Sequence, residues 1–379
     1  MKRILLSLFL FASLSLWAQS PVAIGDILCT DGSTVKPNEF ATSGKTALGI
    51  VFYVDETDTH GWAVALQDQS HSIKWCTSTY YGTDIPALTN YADARQAIHD
   101  LDGDYNTGIL RNFTGSSSNF PAAWAVDYDH GWYLPSGGQL RHMFSYYPEI
   151  NQSLQIVGGE LIAYDRDNYY WSSTEYTGYH AYDMNAGGSL GDYVKDNHST
   201  YPPSGISVRQ IRDFEISTPI PSSHHLGEPI TNEDGSQGIL FYIAPDQNEG
   251  WMVALEDAST SAIWGDNGNI IHLADQTCNR PFGLLLDETD GFSNTNLIRN
   301  YQNNPNTAAG VTDFGNGWYL PTAGQLAKLF GSLAFIEDEL EQYGSTFANE
   351  YYWSSSEASS SQAFASALSS KSRVIQSDT

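Results

Sequence analysis

Apolar and polar positions alternate along this chain in a set order of patterns, and the order occurs twice. Residues 49–54 and 62–66 are short apolar, β-rich runs separated by the polar stretch 55–61, which predicts a β-hairpin. In 90–101, Ala94, Ile98 and Leu101 form a helical stripe. Asn106 is placed to cap a second helix carrying Ile109, Leu110 and Phe113. A turn-rich stretch follows, then a third helix with Leu140, Met143 and Phe144 at i, i+3, i+4 spacing. Strands are predicted at 169–173, 181–185 and 207–212. Strands and helices in this order predict an α+β fold with antiparallel sheet, not the regular alternation of a parallel α/β fold.

The second occurrence is close enough to align by eye. "GIVFYVDETDTHGWAVALQDQSHSIKW" (49–75) pairs with "GILFYIAPDQNEGWMVALEDASTSAIW" (238–264), and "NTGILRN" (106–112) with "NTNLIRN" (294–300). "GWYLPSGGQL" (131–140) returns as "GWYLPTAGQL" (317–326), and "YYWSSTE" (169–175) as "YYWSSSE" (351–357). Units of this length are far longer than the ~20–50 residues of a solenoid repeat. One domain is duplicated, and each copy is expected to hold its own core. The first spans 24–214, a Pro- and Ser-rich linker covers 215–226, and the second spans 227–379.

The repeated strings read as instructions for folding. Pro135 and Pro321 stop any earlier helix. Ser136 with Gln139, and Thr322 with Gln325, have the spacing of a capping box. Trp132 and Leu134 flank Tyr133 and give the preceding strand one apolar face, as Trp318 and Leu320 do in the second copy. Trp171 and Trp353 read as core anchors, with sugar stacking as the competing reading.

Composition narrows the setting. Lys2 and Arg3, the apolar run 4–16 and the small Ala18 make the pattern of an export signal over residues 1–18. That run is too short to span a bilayer, so no membrane insertion is expected after cleavage. The protein is then secreted, periplasmic or held at the cell surface. A formal net charge of −27 argues against nucleic acid and anionic lipid as partners. Three cysteines cannot frame a scaffold; Cys29 and Cys76 either pair or sit as small buried hydrophobes.

Signals for catalysis and metal are thin. "GGSLG" (187–191) matches the nucleophile-elbow string, yet no helical pattern follows it. "DLDGDYN" (100–106) resembles half of a calcium loop without its closing Glu, so calcium is a possible but unsupported cofactor. His224 and His225 lack further spaced ligands. No catalytic residue and no metal ligand is assigned.

Together the four ordered strings resemble the Lcl C-terminal-like domain family, a bacterial group similar to the Fibrobacter major paralogous domains. The resemblance implies two tandem C-type-lectin-like domains with antiparallel sheets and two to three helices each. It also implies first and last strands that pair, and export with a role in adhesion or polysaccharide binding. The sugar-binding triplets and W-N-D strand of calcium lectins do not carry over, since Trp171 and Trp353 are followed by Ser-Ser. Ligand contact is expected from loops that differ between copies, with Tyr80, Tyr81, Tyr176 and Tyr179 as the candidates. The first copy closes with "SVRQIRDF" (207–214). Its counterpart would fall beyond Thr379, so the second copy is expected to lack its closing strand in this sequence, either because the chain is incomplete or because an open edge takes a strand from elsewhere.

Overall fold

The computed structural model describes residues 20–162, 168–185, 190–196, 205–232, 234–265, 271, 289–348, 350–359, 362–367 and 373–376. The expected export signal, Cys278 and Ser189 lie outside them. The first copy opens with β1 (Ile27–Cys29), β2 (Thr34–Val35), α1 (Pro37–Ser43) and the hairpin β3 (Ala47–Val54) and β4 (His60–Ala65). Helices α2 (Ala94–Ala97), α3 (Gly103–Thr114), α4 (Pro121–Trp124), α5 (Gly137–Ser145) and α6 (Tyr147–Val157) follow. The copy ends with β5 (Tyr169–Glu175), β6 (His180–Asn185), β7 (Leu190–Val194), β8 (Ile206–Ser207) and β9 (Ile211–Glu215). The second copy contains β10 (Pro229–Thr231), β11 (Gln237–Ile243), β12 (Gly250–Ala254), α7 (Gly291–Gln302), α8 (Ala323–Gly331), α9 (Leu333–Gln342), β13 (Tyr351–Ser359), β14 (Gln362–Ala367) and β15 (Arg373–Gln376).

The architecture is α+β. Copy one has a five-stranded sheet in the order β2-β1-β3-β4-β9 and a four-stranded sheet β7-β6-β5-β8, in which β8 runs parallel to β5. Copy two has β10-β11-β12 and β13-β14-β15. The last strand of copy one joins the sheet of the first, but beside β4 and not beside β1. The two hairpins share one register. Gly49 faces Ala65 as Gly238 faces Ala254, and both carry a bulge at the same place. Asp58 (φ 54°) and Gln247 (φ 58°) occupy matching left-handed turn positions. The linker is fastened to both turns: Ser222 donates through N–H and Oγ to the Asp58 carboxylate at 2.7 and 2.8 Å, and Gln247 donates to Ser222 Oγ at 3.4 Å.

Two predicted helices differ in extent, for one reason. Only α2 of the 90–101 stripe is helical, and α3 begins at Gly103, ahead of Asn106. The Asp100 carbonyl leaves the helical ladder to accept from Ser136 Oγ at 2.6 Å and from Gly138 N at 3.0 Å. The Asn106 amide, inside α3, donates to the Asp100 carboxylate at 2.9 Å.

The strings "GWYLPSGGQL" and "YYWSSTE" meet at the start of α5, as their counterparts do at the start of α8. Gln139 Oε1 accepts from Ser136 N at 3.1 Å, and Gln325 Oε1 from Thr322 N at 3.0 Å. The first helical N–H is capped from the neighbouring sheet: Gly137 donates to Thr174 at 2.7 Å, and Ala323 to Ser356 at 3.0 Å. The Trp171 and Trp353 indoles donate to the Ile73 and Ala262 carbonyls at 2.8 and 3.0 Å. Trp132 is buried beneath the Arg212 guanidinium, whereas Trp318 is half-buried and donates to Ser236.

Each copy keeps a buried cluster of its own, around Trp75 and Trp171 in copy one and around Trp264 and Ile298 in copy two, and a further cluster crosses between them. The crossing cluster runs from Ile27, Phe52 and Leu140 through Ile239, Leu326 and Leu340. The cause is that α5 and α8, matching helices, pack on each other about a pseudo-two-fold axis. His142 Nδ1 lies 3.1 Å from the Gly331 carbonyl, and Lys328, the counterpart of His142, donates to the carbonyl of Ser145, the counterpart of Gly331, at 3.0 Å. A Cβ on Gly331 would meet Ser145 at 2.4 Å, so glycine sets the approach of the two helices. The halves of this seam differ in chemistry. On one side Tyr53 stacks on Phe335 at 4.8 Å beside His142. On the other, Tyr242 donates to Glu149, and Glu149 pairs with Lys328 at 2.7 Å under the Tyr146 and Tyr242 rings. Arg95 adds an ion pair to Glu337 at 2.7 Å, and His99 Nε2 lies 2.8 Å from the same carboxylate.

Two outcomes are expected. Lys328→Met leaves the half-buried Glu149 without its cation and should cost about 3 kcal/mol in chemical denaturation, while the Lys328→Met, Glu149→Leu double change should recover most of it. The second concerns acid. Desolvation, helped by Lys328 and opposed by the Gly331 carbonyl, pushes His142 down to about 4. The unfolded chain therefore binds a proton near pH ~6.5 that the folded protein refuses until about pH 4. The His142 contribution is complete above pH ~6.5 and is lost as pH falls through that window. Asp26 and Asp68, raised to about 6 by burial, act in the opposite sense. His142→Asn keeps a donor for Gly331 and does not titrate. Its stability should fall less than that of the wild type between pH 6.5 and 4, by up to ~3 kcal/mol.

Candidate functional site

The two candidate loops, 76–85 and 174–180, come together on one end of copy one. Gly82 N–H donates to the Gly178 carbonyl at 3.0 Å, and Lys195 N–H to the Tyr179 carbonyl at 3.0 Å. Tyr81 and Tyr179 meet edge to face, with ring centroids 5.2 Å apart. Tyr179 is 55% exposed, and Tyr81 is half-buried. The other two tyrosines face inward. Tyr80 packs on Phe113 and Phe120 at the margin of a buried cluster, and Tyr176 packs on Tyr182 with His180 stacked alongside. Of the four candidates, Tyr81 and Tyr179 make a surface pair, while Tyr80 and Tyr176 hold the loops down.

A buried ion pair braces this face. Glu175, the last residue of β5, pairs with Lys195, and both side chains are almost wholly inaccessible. Glu175 also accepts from Ile85 N–H at 3.2 Å, and Lys195 donates to the Thr83 carbonyl at 3.4 Å. The ammonium lies 4.6 Å over the Trp75 ring. Burial pushes the Glu175 carboxyl up and the Lys195 ammonium down, and each partner pulls the other back toward its charged form. In copy two, Glu357 accepts from Ile271 N–H at 3.0 Å, the bond that matches Glu175 to Ile85. The position matching Lys195 lies outside the described residues. Neither Glu175 nor Lys195 was singled out in the sequence, although Glu ends the repeated "YYWSSTE" string in both copies.

Asp100, Asp102, Tyr105 and Asn106 of the acidic run line a small pocket of about 60 Å3 with Tyr91 and Glu175. The Asp100 carboxylate there accepts from Thr174 at 2.6 Å, Asn106 at 2.9 Å and Asp102 N–H at 3.1 Å. Its oxygens serve as acceptors for protein donors, and burial raises its pKa. Elsewhere among the described residues, Asp68, His71 and Glu160 bring ligand-type atoms within 4.8 Å of one another. Asp68 is already paired there with the buried Arg209 at 2.5 Å. Cys29 and Cys76 are unbridged and buried in different clusters, and burial pushes the Cys76 thiol up to about 12. The chain leaves "GGSLG" as strand β7, so no helix follows that string.

The copies differ most at a sheet edge. In copy one β9 covers β4 from Val64 to His60. In copy two β12 pairs with β11 alone among the described residues. Ala63, Val64 and Ala65 are buried, whereas their counterparts Met252, Val253 and Ala254 are half-exposed.

No family model matches this chain, and no curated protein does. Among solved structures, a fimbrial protein from Bacteroides ovatus aligns with 52% of this chain and 49% of its own at 17% identity, with a TM-score of 0.40. The chain thus spans about half the length of that structure, and a likeness of this size carries no argument about fold or function. No helix among the described residues is long and apolar enough to cross a membrane.

Glu175→Gln or Lys195→Met should each cost about 3–5 kcal/mol in denaturant unfolding, because each leaves a buried charge alone. Amide hydrogen exchange should rise most in 77–88, the segment the pair holds. Unchanged exchange there would show that the loop is braced by something else.

Proposed function

We propose that this is an exported, non-enzymatic surface module of two tandem C-type-lectin-like domains, 24–214 and 227–379. It binds a surface glycan or a protein through the loop face of copy one. The observation that carries this reading is the Tyr81–Tyr179 pair, held on loops that a buried ion pair fastens to the sheet. Aromatic rings presented on a braced surface stack on a ligand at low entropic cost. The acceptor bonds that occupy Asp100 favour a mode without calcium. A second reading, assembly with another polypeptide by strand addition, is favoured by β12 having β11 as its one strand neighbour among the described residues.

A glycan array with and without EDTA tests the first reading. Binding is expected to persist in EDTA and to fall about tenfold or more in the Tyr81→Ala, Tyr179→Ala variant with its thermal midpoint preserved. Equal binding by the variant would remove the loop face from consideration.

A further inference from the structure

The loop face of copy one combines two aromatic rings with charge of one sign. From Trp75 to Ala94 and from Asn168 to Val208 the chain holds a single lysine or arginine, Lys195. That ammonium is buried and answered by Glu175. The carboxylates are placed differently. Asp84 is exposed on the loop that carries Tyr81, and Asp192 is exposed on β7. Each is tied to a neighbour of Tyr179. A Cβ on Gly178 would lie 3.2 Å from the main-chain N of Asp84, and His180 Nδ1 lies 3.2 Å from the Asp192 carboxylate. The residues before and after Tyr179 thus each adjoin an exposed acid, and neither segment supplies an exposed lysine or arginine to answer it.

The ring itself is seated on the neighbouring loop. A Cβ on Gly82 would meet Tyr179 Cε1 at 2.9 Å, and Gly82 holds φ +87°, so glycine is what lets the Tyr179 ring lie against that loop. The far wall of the loop has the same sign of field. Ala87, Leu88 and Thr89 line the small pocket together with Asp100 and Asp102. Burial and those two carboxylates push the Tyr91 phenol there up to about 12.

We infer that this face selects uncharged saccharides and rejects acidic ones. The inference rests on the glycan form of the loop-face reading and adds the ligand class to it. A pyranose presents C–H groups on one side, which stack on a tyrosine ring, and hydroxyls around its rim, which donate to carboxylates. Ionised Asp84 and Asp192 offer acceptors alone and so match hydroxyl donors. A uronate, sialate or sulfate group adds negative charge where two exposed carboxylates already stand. Like charges brought together across an interface suppress the wrong partner. Tyr81 and Tyr179 supply the contact, and repulsion at Asp84 and Asp192 supplies the choice.

An array that sets sialylated, sulfated and uronate-bearing glycans beside their uncharged parents, probed with the full chain at low and at physiological ionic strength, tests it. Signals lost in the Tyr81→Ala, Tyr179→Ala variant are those that report on this face. Among them, each uncharged parent is expected to bind about tenfold or more tightly than its acidic derivative at low salt. The gap should narrow as salt screens the carboxylates. Asp84→Asn, Asp192→Asn keeps an acceptor at each position and should close the gap, with the thermal midpoint preserved. A gap that persists in that variant overturns the assignment to Asp84 and Asp192. Tyrosine-dependent signals from acidic glycans that equal or exceed those of their parents overturn the inference and leave the loop face standing as a glycan site. No tyrosine-dependent signal at all overturns the loop-face reading and this inference with it.

Discussion

The start of α5 is buried, and a buried helix start must find acceptors for N–H groups that have none inside the helix. Here the acceptor comes from another repeated string: Thr174, on β5, takes the Gly137 N–H. Thr174 in turn donates to Asp100, whose carboxylate also holds Asn106 of α3. One set of hydrogen bonds therefore fixes a sheet, two helices and the loop before them. Copy two repeats the link from Ala323 to Ser356. The strings "LPSGGQL" and "YYWSSTE" are kept together because each completes the other's hydrogen bonds. Neither is a binding signature by itself.

The same helices make the seam. Because α5 and α8 descend from one unit, their contact is self-complementary: position 142 reaches 331, and 328 reaches 145. A seam between identical units would bear the same chemistry on both sides. This one is aromatic around Phe335 and ionic around Glu149. A side chain matched to one half misfits the other, which favours the pairing of unlike copies within one chain.

Much of the fold was legible residue by residue, and the failures share a cause. The hairpins, the capped helices and the strand ends carry local signals of period and capping. The extent of α2 and the start of α3 do not, since Asp100 answers to Ser136 and Gly138, far along the chain. The cluster shared by the two copies was not legible, because a helix stripe shows that a face is buried, not what buries it. At the loop face, aromatic content drew attention to four tyrosines, and packing divided them into two that anchor and two that are presented.

The sequence by itself determined that one α+β unit is built twice, where its hairpins turn, where α5 and α8 begin and which loops vary. These follow from short-range rules: hydrophobic period, proline geometry and side-chain caps within a few residues. Only the tertiary structure decided that α5 meets α8, that Glu175 meets Lys195 and that Asp68 meets Arg209. Each joins positions whose pairing depends on how sheets and helices stack, and a buried charge is stable only where that stacking brings its partner.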